Sequence, residues 1–201
     1  MELKHYNISK KSQGGFTLME LIIGLTVMTL ILLATGVFSF SGAQSKSTNI
    51  MAIMKELGNG ALRYNAHTGM FPKAPISLFD KSKNTATDVI QGVATTDSWK
   101  GPYTNVFGAD ANGKYKLDAY VTGATITFEQ VTAGLPSGAT AGYRAVVDGI
   151  PDDIIAQIVA DCNGTAAGGA LPTDHAAGQK CTGALASGGV PGSVTYLFSA
   201  S

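Results

Sequence analysis

From Phe16 to Phe40 the chain runs for 25 residues with a single charge, Glu20. No other feature constrains the fold as much, because so apolar a segment must leave water or be covered on every side. About 20 helical residues cross a bilayer core, so the run is long enough to span. Its polar interruptions are Thr17, Thr26, Thr29, Thr35 and Ser39, whose hydroxyls can bond back to helix carbonyls. Lys4, Lys10 and Lys11 precede it, and the positive-inside tendency holds that end in the cytoplasm with residues 41–201 outside. A cleaved secretory signal has an apolar core of about 7–15 residues, shorter than this one, and Ala34-Thr35-Gly36 is a poor cleavage site. A plain signal anchor accounts for the length and the lysines but leaves Glu20 unexplained. A carboxylate at mid-membrane costs about 2.5–3.5 kcal/mol, less near a helix end, and so points to a partner.

The stretch Lys10 to Gly24, KKSQGGFTLMELIIG, carries a basic lead, two glycines, an aromatic residue and then the apolar run with its glutamate. It resembles the N-terminus of type IV prepilins and related pseudopilins, in which a short basic leader ends in Gly and the fifth mature residue is Glu. On that resemblance residues 1–15 are a leader, Phe16 is the first mature residue and Glu20 the fifth. The resemblance implies that a prepilin peptidase cuts between Gly15 and Phe16 on the cytoplasmic side and N-methylates Phe16. Glycine before the cut lets the backbone lie extended against a protease. The resemblance further implies that Glu20 neutralises the new Phe16 amine of a neighbouring subunit. In low dielectric an unpaired charge is costly, so such a pair would fix register, with no catalytic role for the carboxylate.

Past Gly42 the chain turns polar, and Ile50, Ile53, Met54, Leu57, Ala61 and Leu62 then recur at helical spacing, with Lys55, Glu56 and Arg63 off the stripe. The spacing predicts a helix continuing to about Tyr64, roughly 75 Å from Phe16, with one face ready to pack on a body. Gly36, Gly42, Gly58 and Gly60 are weak points, marking either a bend or close packing. Ala66-His67-Thr68-Gly69 ends the helix, and Pro72 and Pro75 open a loop.

Asp97-Ser98-Trp99-Lys100-Gly101-Pro102-Tyr103 reads as a turn on an aromatic anchor, with a sugar-binding platform as the sharper alternative. Residues 115–121 and 124–131 read as a hairpin, and 143–147 as a further strand. Ile150, Ile154, Ile155, Ile158 and Val159 form a helical face, with Pro151 in the first turn and Asp152 and Asp153 at the positive end. Residues 164–192 are rich in small residues and read as flexible, and 194–198 as a closing strand. Cys162 and Cys181 enclose 18 residues. With no CxxC spacing, a single disulfide is the reading for an exported body.

Lys+Arg 14 against Asp+Glu 14 gives zero net charge, which argues against direct nucleic-acid binding. No GxSxG, HExxH or phosphate-binding glycine loop is present, so no catalytic residues are assigned and the chain is read as a non-enzyme. No cofactor is implied. His67 and His175 read as isolated surface or loop residues. Cys162, Asp174, His175 and Cys181 match no common zinc spacing, so no metal site is assigned. Asn163-Gly164-Thr165 has the form of a glycosylation sequon, which arises readily by chance.

The expectation is therefore α+β: a leader (1–15), an apolar membrane or filament-core helix (16–42), an amphipathic continuation (43–65) and a globular head (66–201). The resemblance implies a long helix on an antiparallel sheet with an outward-facing disulfide-bounded loop. It also implies a subunit of a type IV pilus serving adhesion, motility, conjugation or aggregation. Its partners would be copies of itself in a helical filament, the prepilin peptidase, inner-membrane assembly machinery and the membrane. Its place would be the bacterial inner membrane as precursor, then the extracellular pilus. The helix running into Cys162 looks like type IVb pilins, whereas the short leader and Phe16 look like type IVa. The family's frequent proline within the membrane segment is missing. A minor pilin or secretion pseudopilin is an alternative, as is an unprocessed, signal-anchored surface-binding protein.

Overall fold

A computed structural model describes residues 18–34, 42–166 and 168–201. The chain divides into two units, residues 1–40 and 41–201. In the first, helix α1 spans Leu18–Ala34, 17 residues or about 25 Å. Among the described residues no helix is long and apolar enough to cross a membrane. The remainder of the expected apolar segment, 16–17 and 35–41, lies outside the described residues.

The second unit is built on helix α2, Gly42–Thr68. Ile50, Met54, Leu57, Ala61 and Tyr64 are fully buried at steps of four and three, the single-face periodicity of an amphipathic helix. Thr68 Oγ1 donates to the Tyr64 carbonyl, and Gly69, at φ +72°, closes the last turn by donating its N–H to Asn65 O at 2.7 Å. Gly58 and Gly60 answer the bend-or-packing question in favour of packing. A Cβ at Gly58 would meet Phe198 at 3.0 Å, and one at Gly60 would meet Leu78 at 3.0 Å and the Tyr103 carbonyl at 3.2 Å.

Five strands form one antiparallel sheet, β1 (Tyr115–Lys116), β2 (Thr125–Val131), β3 (Gly142–Asp148), β4 (Cys181–Ala184) and β5 (Ser193–Ala200), in the order β1-β2-β3-β5-β4. Ile126, Phe128, Ala145, Val147 and Val194 join the α2 stripe in one core. Phe71 stacks on Tyr143, with ring centroids 3.7 Å apart.

Helix α3, Asp152–Asn163, carries the chain from β3 towards β4 and packs on α2 and β4, with Ile154, Ile155 and Ile158 buried. Pro151 precedes it with φ −62°, and Asp152 and Asp153 lie in its first turn, where the dipole favours negative charge.

Two sequence expectations need correction. The first hairpin strand stops at Lys116: Tyr120 and Val121 donate back to Leu117 O, and Asp118 Oδ1 accepts from Gly123 N, so 117–124 is a turn. Residues 164–192 contain strand β4, whose Gly183 gives a Cβ no room beside Ile155 (2.9 Å) and Val159 (3.0 Å). Small residues there serve tight packing against α3.

Candidate functional site

In α1 the sequence favours a helix through its leucines and methionines, in a run interrupted only by Glu20, Gly24, Thr26 and Thr29. Every large apolar side chain from Leu18 to Met28 is exposed, Leu18 at 78% and Met19 at 73%. A helix apolar on all sides has no stable place in water alone. Thr26 Oγ1 donates to Ile23 O at 2.9 Å, so this hydroxyl is satisfied by its own helix. Glu20 stands in the first turn, at the positive end of the helix dipole. Gly15 and Phe16, the expected cleavage and methylation positions, lie outside the described residues.

At the other end of the chain Cys162 and Cys181 are joined in a disulfide, with Cα atoms 6.0 Å apart. It ties the last turn of α3 to the first residue of β4. Asn163, next to the first cysteine, reinforces the tie. Its Nδ2 donates to Cys181 O at 2.8 Å, and its Oδ1 accepts from Lys180 N and Cys181 N, both at 3.1 Å. The amide of the apparent sequon is thus fully engaged as a clamp. Gly164, at φ +67°, then ends α3 in the left-handed conformation that glycine adopts without strain.

His175 is the main revision among polar residues. It lies in the loop as expected, yet only 1% of it is exposed. Its Nδ1 donates to Gln179 O at 2.9 Å, and its Nε2 is 3.2 Å from Thr195 Oγ1, itself 2.6 Å from Thr182 Oγ1. Burial holds its pKa below the ordinary value of 6.5; the Gln179 bond opposes this, Arg144 adds to it, and Asp174 opposes it. Nothing in the spacing of a lone histidine among small residues signals this network. The disulfide consumes both thiols that a zinc reading with His175 and Asp174 would need.

The Trp99–Tyr103 turn is an internal bracket in which Tyr103 is buried and Trp99 half-buried. Trp99 Nε1 donates to Ser77 O at 3.0 Å, the Tyr103 hydroxyl accepts from Lys100 N at 2.8 Å, and the two rings meet edge to face at 5.7 Å. A Cβ on Gly101 would lie 2.5 Å from the Trp99 ring, so only glycine fits. Tyr103 is 5% exposed.

Residues 10–36 match the family model of the prokaryotic N-terminal methylation motif, the leader signature of type IV pilins and prepilins. No curated protein and no solved structure matches the chain. The matched stretch contains Gly15, Phe16 and Glu20, and it supports a type IV pilin-like or pseudopilin-like reading.

Proposed function

We propose that this chain is a structural subunit of a type IV pilus, processed by prepilin peptidase and polymerised into an extracellular filament. The observation that carries the reading is the methylation motif at residues 10–36. Cleavage between Gly15 and Phe16 exposes an α-amine at the head of the apolar helix, and the peptidase methylates it. Glu20 of one subunit then meets the Phe16 amine of the next. Both charges sit in low dielectric, where pairing is strongly favoured over isolation, and this sets the stagger between helices. The apolar surface of α1 supplies the association energy, at about 25 cal/mol per Å² removed from water. In this reading the protein works by assembly and performs no catalysis.

The head supports the same reading: an amphipathic helix on an antiparallel sheet, with α3 feeding a C-terminal disulfide. That arrangement favours the type IVb-like form, with the disulfide-bounded region facing outward from the filament.

Intact mass and N-terminal sequencing of protein from sheared surface filaments and from membranes test the proposal. A chain beginning at Phe16, one methyl group heavier and abundant in the sheared fraction, is the expected result. A processed chain scarce in that fraction points to a minor pilin or pseudopilin. A chain beginning at Met1 and confined to membranes overturns the proposal in favour of a signal-anchored surface protein.

A further inference from the structure

The β4–β5 connection, residues 184–192, reads Ala-Leu-Ala-Ser-Gly-Gly-Val-Pro-Gly and carries no charge. Ser187 and Val190 exchange backbone hydrogen bonds at 3.1 and 2.9 Å. Between them Gly188 and Gly189 stand at φ +58° and +82°, the two positive values a type I′ turn requires. Asp152 Oδ1 accepts from Ala186 N at 3.0 Å and fixes the hairpin to the first turn of α3. This held tip turns apolar side chains to solvent. Val190, at 68%, is the most exposed large apolar side chain among the described residues of 41–201, and Leu185 is 52% exposed. The pairings Ala184–Ser193 and Ser187–Val190 share one register, which puts Leu185 and Val190 on the same face.

A cleft of about 560 Å³ lies against the C-terminal half of α3. Buried Val159 and Ala160 line it, with half-buried Ala156, Leu171 and Pro172. Its polar members are Asn163, whose amide is engaged in the clamp, Thr165 and Gln179; no charged residue lines it. A cleft of this size admits a small ligand or a few side chains. Tip and cleft are both uncharged, so bringing them together strips no ion of its water. The tip cannot fill the cleft of its own chain. Asp152 anchors it at the N-terminal end of α3, and from Asp152 to Val159 is roughly 10 Å of helix.

We propose that the hairpin tip of one copy seats Leu185 and Val190 in the α3 cleft of the next, a head-to-tail contact between copies of this chain. The proposal rests on the filament reading and supplies a contact between heads for it. Tip and cleft are different surfaces, so each copy gives one and receives one. Such a contact propagates as an open chain unless the rotation per copy closes a ring. The turn and the Asp152 bond already order the tip, so seating it sacrifices little conformational freedom.

The test places Val190→Cys and Ala156→Cys together in the full chain and mildly oxidises sheared filaments, leaving the Cys162–Cys181 disulfide in place. Non-reducing electrophoresis should show a ladder of dimers, trimers and longer species, whereas either single variant should stay monomeric. Val190→Cys paired with Ala119→Cys, an exposed position in the 117–124 turn, should give no ladder. Should Ala156→Cys lower filament yield, Pro172→Cys takes its place in the cleft. Leu185→Asp with Val190→Asp gives a second reading, because both side chains lie largely outside the core. Thermal melting should be unchanged, and the yield of sheared filaments should fall about tenfold as charge enters an apolar contact. Filaments of chains beginning at Phe16 that give no ladder overturn the contact while the filament reading stands, and the tip then faces another partner or solvent. An equal ladder from the Ala119 pair, dimers from a single variant, or full yield from the double aspartate variant has the same meaning. A wild-type chain that keeps Met1 and stays in membranes overturns both.

Discussion

Helix α1 and the disulfide-bounded region both lack a core of their own, and they compensate by opposite means. From Leu18 to Met28, α1 turns large apolar side chains outward, so its stabilisation must come from surroundings that replace water. Residues 162–184 hold few large apolar side chains, yet they are braced internally. The disulfide, the Asn163 clamp and buried His175 fix them to α3 and the sheet. One region depends on composition, which survives many substitutions. The other depends on single polar atoms meeting across the fold, which does not.

The largest effect should come from breaking the apolar region's one charged position. Glu20→Ala in the full-length protein should abolish recovery of the subunit in sheared filaments. Gly15→Leu should additionally leave the chain unprocessed, which mass spectrometry reads directly. Neither change should move the thermal melting of residues 41–201, because both lie in the other unit. Normal filament yield from Glu20→Ala would remove the register role and leave the carboxylate without a function.

The disulfide comes next. Cys162→Ser with Cys181→Ser opens a cross-link spanning 19 positions, worth about 3 kcal/mol in the chain-entropy model. For a domain of this size that corresponds to a fall of roughly 6–12 °C in Tm, measurable by calorimetry on the detergent-solubilised chain. An unchanged Tm would mean that the clamp and packing hold the region without the bond.

The same comparison explains what the sequence disclosed. The apolar run, the amphipathic stripe from Ile50 to Tyr64, the main strands β2, β3 and β5, and α3 were legible because each is a periodic pattern over many residues. The Gly15–Phe16–Glu20 motif was legible because its elements are contiguous. Strand β4 was not, because Cys-Thr-Gly-Ala has no alternating apolar signal; it forms by pairing with β5 and by fitting Gly183 against α3. Asn163 and His175 were invisible as structural residues, since their partners lie 18 and 20 positions away in sequence. The expected strand 115–121 failed beyond Lys116 for the related reason that Asp118, read as part of that strand, instead accepts from Gly123 N.

Asn163 sharpens the comparison at a smaller scale. Asn163→Ala removes one donor and one twice-used acceptor and strands buried backbone groups at Cys181, which should cost about 2 kcal/mol in urea unfolding. Asn163→Asp keeps the acceptor oxygen for Lys180 N and Cys181 N but loses the donor to Cys181 O, and should cost about half as much, ~1 kcal/mol. Equal costs for the two variants would show that the acceptor side of the clamp contributes nothing.

The subtlest break is made with protons. Burial lowers the folded-state pKa of His175, so below the ordinary value of 6.5 the unfolded chain takes up a proton that the folded chain refuses. Stability is therefore full above that pH, falls as pH drops towards the folded-state value, and levels once both states are protonated. Thermal melting between pH 7.5 and pH 4.5 should show this decline, and His175→Gln should flatten it. Helix α1 contains no histidine, so the slope belongs to the braced region and should be unchanged by Glu20→Ala. A decline identical in His175→Gln would assign the acid sensitivity to the carboxylates of the head and mean that the imidazole takes up its proton alike in the folded and the unfolded chain.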